Sequence, residues 1–269
     1  MNILETITQR TRERSAEEKK YLPLSQVRRM AEERMKQPDA PDFESALRRP
    51  GLSLICEVKK ASPSRGVIAE DFPYLAIARD YEAGGAAAIS CLTEPYWFQG
   101  KDRYLEEIAQ EVSVPILRKD FTCDEYMIYQ ARAMGASAVL LICSVLEEKQ
   151  LESYRRLAEE LHMSALVEAH GPREIEQAEK SGARIIGVNN RNLKDFTVDI
   201  QNSAKLRRMV GGDKVFVSES GVREPEDLKA LYENGTDAVL IGEMLMRSAD
   251  RKAAVESLRG SIGRSRDNG

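Results

Sequence analysis

Histidine is scarce in this chain: His162 and His170 are the only two in 269 residues, and no histidine-based metal site is expected from so few. The four cysteines, Cys56, Cys91, Cys123 and Cys143, are scattered, and three of them lie inside apolar runs. They read as buried thiols in a reducing compartment, not as a disulfide frame. Long hydrophobic runs are missing too. The longest, Ala138 to Cys143, is far too short to span a bilayer. Met1 leads into polar, charged sequence, so no secretory leader is expected and a cytoplasmic location follows. Excess charge of one sign is also lacking: 40 Lys and Arg against 44 Asp and Glu leave a net charge of −4. That balance offers no overall attraction to nucleic acid or membrane lipid. What the chain does have is apolar material, 42% of its residues, enough for a large core.

A concealed repeat organises it. Glycine stands between the end of a helical pattern and an apolar run at Gly84-Gly85, Gly135, Gly182 and Gly235. These glycines recur about every fifty residues, roughly twice the thirty or so of one βαβ step with its shared strand. The runs that follow them are Ala87 to Cys91, Ala138 to Cys143, Arg184 to Val188 and Ala238 to Ile241. Between them fall Leu52 to Val58, Val114 to Leu117, Ala165 to Val167 and Val215 to Val217. Continuous apolar runs suit parallel strands buried on both faces. Helical patterns separate them, for example Asp124 to Met134, Glu147 to Leu161 and Glu224 to Glu233, the last with Pro225 in its first turn. Eight strands alternating with eight helices predict an α/β fold, a single (β/α)8 TIM barrel. A doubly wound open sheet is the alternative, but no Gly-rich dinucleotide fingerprint follows the first strand.

The first strand starts only near Leu52, so residues 1–50 are expected to form a helical extension packed on a barrel of residues 51–260, with 261–269 a polar, flexible tail. A helix from Ile3 to Lys20, a break at Pro23 and a second helix to about Lys36 are predicted. Its many Arg and Lys residues are interleaved with Glu, which reads as a salt-bridged, solvated cap and not as a polycation.

In such a barrel the chemistry sits at the C-terminal ends of the strands. Strand one ends Glu57-Val58-Lys59, strand three Arg118-Lys119-Asp120, strand five Glu168-Ala169-His170, strand six Asn189-Asn190-Arg191 and strand seven Ser218-Glu219-Ser220. Alternation puts Glu57 and Lys59 on one face. If that face is inward, Glu57, Lys59, Lys119, Glu168, Asn189 and Glu219 converge on one mouth. Singly, each is an ordinary exposed charge at a strand end. Together, three carboxylates and two ammoniums must pair or share protons, which marks a functional cluster. His170 is read as a supporting or solvent-facing residue, His162 is assigned no role, and Cys91 and Cys143 are read as core.

The last two loops point to an anion. Ser220-Gly221-Val222 follows strand seven and Ile241-Gly242-Glu243 follows strand eight. Glycines there let backbone N–H groups approach a phosphate, the usual place for one in these barrels. Ser62-Pro63-Ser64-Arg65-Gly66 adds hydroxyls and a cation that could close over the same group, or is an ordinary polar turn. Of Glu243, only the backbone N–H is a credible phosphate ligand, since its carboxylate would repel the anion.

The segments Glu57-Val58-Lys59-Lys60-Ala61-Ser62-Pro63-Ser64, Leu117-Arg118-Lys119-Asp120-Phe121, Gly187-Val188-Asn189-Asn190-Arg191-Asn192-Leu193, Ser218-Glu219-Ser220-Gly221 and Ile241-Gly242-Glu243 resemble the signatures of the indole-3-glycerol-phosphate synthase family. The likeness runs through nearly the whole chain. Asn192 stands where the family often has Asp, and Cys143-Ser144 where it is more apolar. The resemblance implies an enzyme of tryptophan biosynthesis that acts without metal or organic cofactor. It would close the ring of 1-(2-carboxyphenylamino)-1-deoxyribulose 5-phosphate with loss of carbon dioxide and water.

The resemblance also implies roles. Lys119 looks like the general acid, working near neutrality if burial or the facing Lys59 lowers its pKa. Lys59 would pair with substrate carboxylate or phosphate and take over as acid when hydroxide leaves. Glu168 looks like the base that removes the final proton. Glu57 and Glu219 would hold the lysines and substrate hydroxyls, with Asn189 helping. Arg191 would fork onto the anthranilate carboxylate, and Phe98 and Phe121 would pack on its ring. Ser62 and Ser220 join the substrate contacts, and Lys59, Ser62, Gly221, Gly242 and Glu243 the phosphate contacts.

Two rivals remain. A phosphoribosylanthranilate isomerase would need an acid–base pair, typically Cys and Asp, whereas Cys56 here points away from Glu57 and Lys59. A non-catalytic phosphometabolite-binding barrel would keep Gly221 and Gly242 with no need for both lysines and Glu168. The expected partner is a phosphorylated anilino sugar, with no nucleic acid or membrane. The length allows one catalytic barrel, and the absence of apolar heptads suits a monomer or weak homodimer.

Overall fold

Four of the eight strands begin where a helix has just been stopped by a glycine able to turn the chain back. Gly85, Gly135, Gly182 and Gly235 have φ of 90°, 92°, 77° and 85°, the left-handed region that ends a helix without steric penalty. In the computed structural model, which describes residues 3–37, 41–192 and 196–263, eight strands follow. They are β1 (Ser53–Val58), β2 (Ala88–Leu92), β3 (Ile116–Lys119), β4 (Ala138–Ile142), β5 (Ser164–Ala169), β6 (Ile185–Asn189), β7 (Val215–Glu219) and β8 (Ala238–Ile241). Every neighbouring pair is parallel, and β8 returns to β1 to close the barrel. The single (β/α)8 TIM barrel predicted from the repeat is therefore observed.

Boundaries moved where proline or capping intervened. The third strand was expected over Val114 to Leu117 and runs over Ile116–Lys119. Pro115 has no N–H for the ladder and contributes only its carbonyl, which accepts from Ile89 N at 3.0 Å. Asp124, expected inside a helix, instead caps it: its side chain accepts from Tyr126 N at 2.9 Å.

Alternation sorts each strand into two layers. Leu54, Cys56 and Val58 join a core between barrel and helices, while Ile55, Leu117, Leu140, Leu166, Val217 and Leu240 fill the barrel interior. Phe43 and Leu47 of a short helix (Phe43–Leu47) belong to that interior cluster, so residues of the N-terminal extension plug the end of the barrel opposite the strand termini.

Helices α1 (Ile3–Tyr21) and α2 (Leu24–Met35) break at Pro23 as expected. Part of α1 is a salt-bridged outer face, with Arg10–Glu13 at 2.9 Å and Lys20–Glu17 at 2.6 Å. The expectation of a merely solvated cap is nevertheless corrected. Arg14 is buried against Asp120 at 2.9 Å, and Ile3, Leu4 and Ile7 line the main cavity. Residues 261–263, expected in the tail, belong to the last helix (Arg251–Gly263). Residues 264–269 lie outside the described residues, as does Leu193.

Candidate active site

The strand ends open into one cavity of about 640 Å³. Glu57 and Lys59 reach it from β1, Lys119 from β3, Glu168 from β5, Asn189 from β6 and Glu219 from β7. The loops add Ser62, Phe98, Phe121, Arg191, Ser220, Gly221, Gly242 and Glu243. Every residue singled out for a site in the sequence lines this cavity.

The charges inside it are paired in a pattern set by strand register. Asn189 and Glu219 are partners across β6 and β7, and Leu92 and Lys119 across β2 and β3. Lys119 Nζ lies 3.0 Å from Glu168 Oε2 and 3.1 Å from Glu219 Oε2. Lys59 Nζ donates to Glu57 Oε1 instead of confronting Lys119. The expected lowering of the Lys119 pKa is therefore not found. Burial pulls it down, but Glu168, Glu219 and Glu57 outweigh burial and hold the ammonium well above its ordinary value. The two carboxylates diverge. Burial would raise Glu168, but Lys119 and His170 draw it below the ordinary range. Burial, with the charge of Glu168 added, pushes Glu219 up to about 8. Neither oxygen of Glu219 has a hydrogen bond of good geometry, so its ion pair with Lys119 is close but poorly aligned.

The loops are shaped for close approach. Ser220 and Gly221 follow each other at φ 66° and 101°, a left-handed pair after β7. Asn190 fixes that turn by donating to Ser218 Oγ at 3.0 Å and to the Ser220 carbonyl at 2.9 Å. Gly242 is required for space: a Cβ there would strike the Glu57 carboxylate and come within 3.0 Å of Lys59 Nζ. The Glu243 side chain is engaged by Arg65 at 3.0 Å and Arg247 at 3.4 Å. Phe98 and Phe121 stand as one aromatic wall, with ring centroids 6.2 Å apart at 42°. Among the described residues, the hydrogen bonds of Arg191 Nη1 are weak ones, at 3.5 Å to Ser64 Oγ and 3.4 Å to the Phe196 carbonyl. Among the described residues, no three His, Cys, Asp or Glu side chains are grouped as metal ligands would be.

The comparisons with known proteins bear on the same chain. The family model for indole-3-glycerol phosphate synthase matches residues 4–258. The indole-3-glycerol phosphate synthase of Ruminiclostridium cellulolyticum is 52% identical over 260 residues, covering 96% of this chain and 99% of its own. That of Lacticaseibacillus paracasei is 50% identical over 257 residues, covering 96% and 98%. The chain belongs to the indole-3-glycerol phosphate synthase family. Enzymes of that name are carboxy-lyases of tryptophan biosynthesis. Among solved structures, the 3-hexulose-6-phosphate synthase of Salmonella typhimurium superposes with a TM-score of 0.65 at 14% identity, covering 78% of this chain and 98% of that one. That likeness shows the barrel alone.

Several residues that shape the site escaped the strand-end comparison. Glu94, wholly buried after β2, accepts from the backbone N–H groups of Tyr96, Trp97 and Phe98 at 3.0, 2.7 and 3.0 Å. It folds the loop that presents Phe98. Extending the comparison to strand two, which ends Leu92-Thr93-Glu94, would have found it. Behind Lys119, Asp120 accepts from Thr93 Oγ1 at 2.7 Å and from Arg14, with Arg118 at 3.7 Å. Burial works against that carboxylate, yet Arg14 and Arg118 hold it below its ordinary range. No spacing in the sequence links Arg14 to Asp120. His170, read as a supporting or solvent-facing residue, lies beside Glu168, with Nε2 3.4 Å from Glu168 Oε1.

Proposed function

We propose that the chain converts 1-(2-carboxyphenylamino)-1-deoxyribulose 5-phosphate to indole-3-glycerol phosphate with its own side chains alone. The observation that carries this reading is Lys119, ion-paired with Glu168 and 3.1 Å from Glu219 in the same cavity as the Gly221 and Gly242 loops. In this scheme the phosphate rests on the backbone N–H groups of Gly221, Gly242 and Glu243, with Lys59 and Ser62 beside it. Arg191 holds the anthranilate carboxylate, and Phe98 and Phe121 pack on the ring. Ser220 lines the sugar.

Ring closure makes an alkoxide from the substrate carbonyl, and Lys119 supplies the proton. The Glu168 carboxylate keeps it charged across neutral pH, so the proton stays in place until the developing alkoxide draws it away. Carbon dioxide then leaves from the ring carbon that formed the new bond. Lys59 protonates the departing hydroxyl, and Glu168 removes the last proton to complete the indole. Glu57, Glu219 and Asn189 orient the lysines and the substrate hydroxyls. Glu168, held as a carboxylate by Lys119, is in the state a base requires.

The isomerase reading loses support, because Cys56 is fully buried in the outer core and burial raises its thiol far above neutrality. We also read residues 1–50 as an extension acting with a barrel of residues 51–260, and the protein as a cytoplasmic monomer or weak homodimer. Four free, buried cysteines suit a reducing compartment. No helix among the described residues is long and apolar enough to cross a membrane. The deciding experiment incubates the protein with the anilino sugar phosphate and a chelator while following indole fluorescence. Product should form at the same rate with and without chelator. No product, or a strict requirement for added metal, would overturn the reading.

A further inference from the structure

Asn190, directly after β6, is buried and uses all four hydrogen-bonding positions of its amide. Its Nδ2 donates to Ser218 Oγ at 3.0 Å and to the Ser220 carbonyl at 2.9 Å. Its Oδ1 accepts from the Ser203 backbone N–H at 3.0 Å and from Ser203 Oγ at 2.8 Å. Two of these partners fix which way the amide faces. A backbone N–H only donates and a carbonyl only accepts, so the oxygen and nitrogen ends cannot be exchanged. Ser203 Oγ spends its proton on Asn190 and therefore accepts from Ser218 Oγ, 2.8 Å away. Asn190, Ser218 and Ser203 thus form a closed ring of donors and acceptors. The backbone of the helix Gln201–Arg207 anchors it.

The bond that leaves this ring goes to a single peptide. In a trans peptide the carbonyl and the N–H point to opposite sides. Drawing the Ser220 carbonyl back onto Asn190 therefore turns the Gly221 N–H the other way. Ser220 and Gly221 both line the cavity, and Asn190 stands buried behind them. A second orientation is open to the chain, because glycine accepts either sign of φ. Half a turn of this one peptide would put its carbonyl oxygen into the cavity and its N–H into the wall. Ser220 is also a non-glycine residue at φ 66°, a region that side chains disfavour, so it needs a partner to hold it there.

We infer that Asn190 is a positioning residue that selects the orientation of the Ser220–Gly221 peptide and so sets the affinity for the phosphate end of the substrate. This inference rests on the reading of the Gly221 and Gly242 loops as the phosphate holder. With Asn190 in place the anion meets an N–H. With the peptide turned round it meets a carbonyl oxygen, which repels it.

The test uses inorganic phosphate as the probe, titrated by calorimetry, beside steady-state kinetics with the anilino sugar phosphate. The proteins are the parent, Asn190→Ala, Asn190→Leu and Ser203→Ala, each first shown to fold by circular dichroism. Either Asn190 variant should weaken phosphate binding by about ten- to a hundredfold, the loss expected for one hydrogen bond to a charged group. KM should rise with it while kcat falls much less, the pattern of binding shared by ground and transition states. Ser203→Ala separates positioning from simple stability. It removes a hydroxyl from the same buried ring but leaves the Ser203 N–H on Oδ1 and the bond to the Ser220 carbonyl. It should lose stability and keep the phosphate affinity of the parent.

A crystal of the parent with phosphate bound needs no variant to fold. It should keep the Ser220 carbonyl on Asn190 and bring Gly221 N within about 3.2 Å of a phosphate oxygen. Parent-like affinity in the Asn190 variants, an equal loss in Ser203→Ala, or a bound phosphate facing a turned peptide would remove the Asn190 role alone. A parent that neither binds phosphate nor is inhibited by it in competition with substrate would overturn the phosphate reading, and this inference with it.

Discussion

Arg14, from the first helix, donates to the buried carboxylate of Asp120 at 2.9 Å, directly behind Lys119. Their side chains are 10% and 0% exposed, so the extension is joined to the rim by an ion pair shielded from water. A buried pair that loses one member leaves an uncompensated charge, at a cost of about 3–5 kcal/mol. Arg14→Met should fall near the lower end, about 3 kcal/mol, because Arg118 still faces Asp120. Urea unfolding measures it. A double-mutant cycle with Asp120→Asn should return a coupling energy clearly different from zero.

Lys119→Met should fold and lose turnover by at least about two orders of magnitude. The loss has two sources in the geometry. The acid is gone, and Glu168 no longer has the ammonium that keeps it ionised. Steady-state rates near neutrality give the first effect, and a new acid limb in the pH profile gives the second. Near-normal turnover would remove Lys119 from its role.

Stability should respond to pH through Glu219. Its value is raised by burial and by Glu168 from an ordinary 4.5 to about 8. A group with a raised folded value contributes fully below the unfolded one, and that contribution is lost as pH rises through the folded one. Urea midpoints of the parent should therefore decline between about pH 5 and pH 8. Glu219→Gln imitates the protonated acid and should flatten the decline. Glu168 runs oppositely, its contribution present above 4.5 and lost as pH falls towards about 2. Equal slopes in parent and Glu219→Gln would show that Glu219 is ionised throughout.

Gly242→Ala tests the close approach beside β1. Its φ of −125° lies outside the left-handed region, so the test turns on the space around the residue. The added methyl would displace the Glu57 carboxylate and crowd Lys59 Nζ. Displacements of about 1 Å at a reacting centre cost up to ~10²-fold, so kcat/KM should fall by about ten- to a hundredfold. Parent-like kcat/KM would show that the space is not needed.

Glu94→Ala would strip three backbone N–H groups of their acceptor. Stranded buried donors cost about 1–3 kcal/mol each, and water entering at the part-buried loop will recover some of that. A loss of about 2 kcal/mol or more is expected, with KM raised because Phe98 loses its support. Denaturation and steady-state kinetics read the two effects separately. Glu94→Gln, which keeps one acceptor oxygen, should fall between.

What could be read in the sequence was whatever a local pattern encodes. Leu54 and Cys56 face the outer layer and Ile55 and Glu57 the inner one, because a strand alternates and nothing else is needed to say so. Strand closure then brought Lys59, Lys119, Glu168 and Glu219 to one rim. Partner choice was not legible. Lys59 was expected to depress Lys119, but register places Lys119 between Glu168 and Glu219 and leaves Lys59 with Glu57. Two lysines at one mouth do not reveal which carboxylates stand between them. Arg14 and Asp120 are joined only by the docking of a whole helix, and no periodicity in either segment carries that contact.

The left-handed turn at Gly182 lies between a helix and the start of β6, on the floor of the barrel and away from the cavity. The halves on either side each keep intact the rim segments that follow their own strands. Lys119 and Glu168 fall in the first half and Asn189, Glu219 and Gly242 in the second, so neither half holds a whole set of working groups. Two co-expressed fragments divided at this turn would have to reassemble before any product could appear, which makes the floor turn a natural seam for a split reporter built on this barrel.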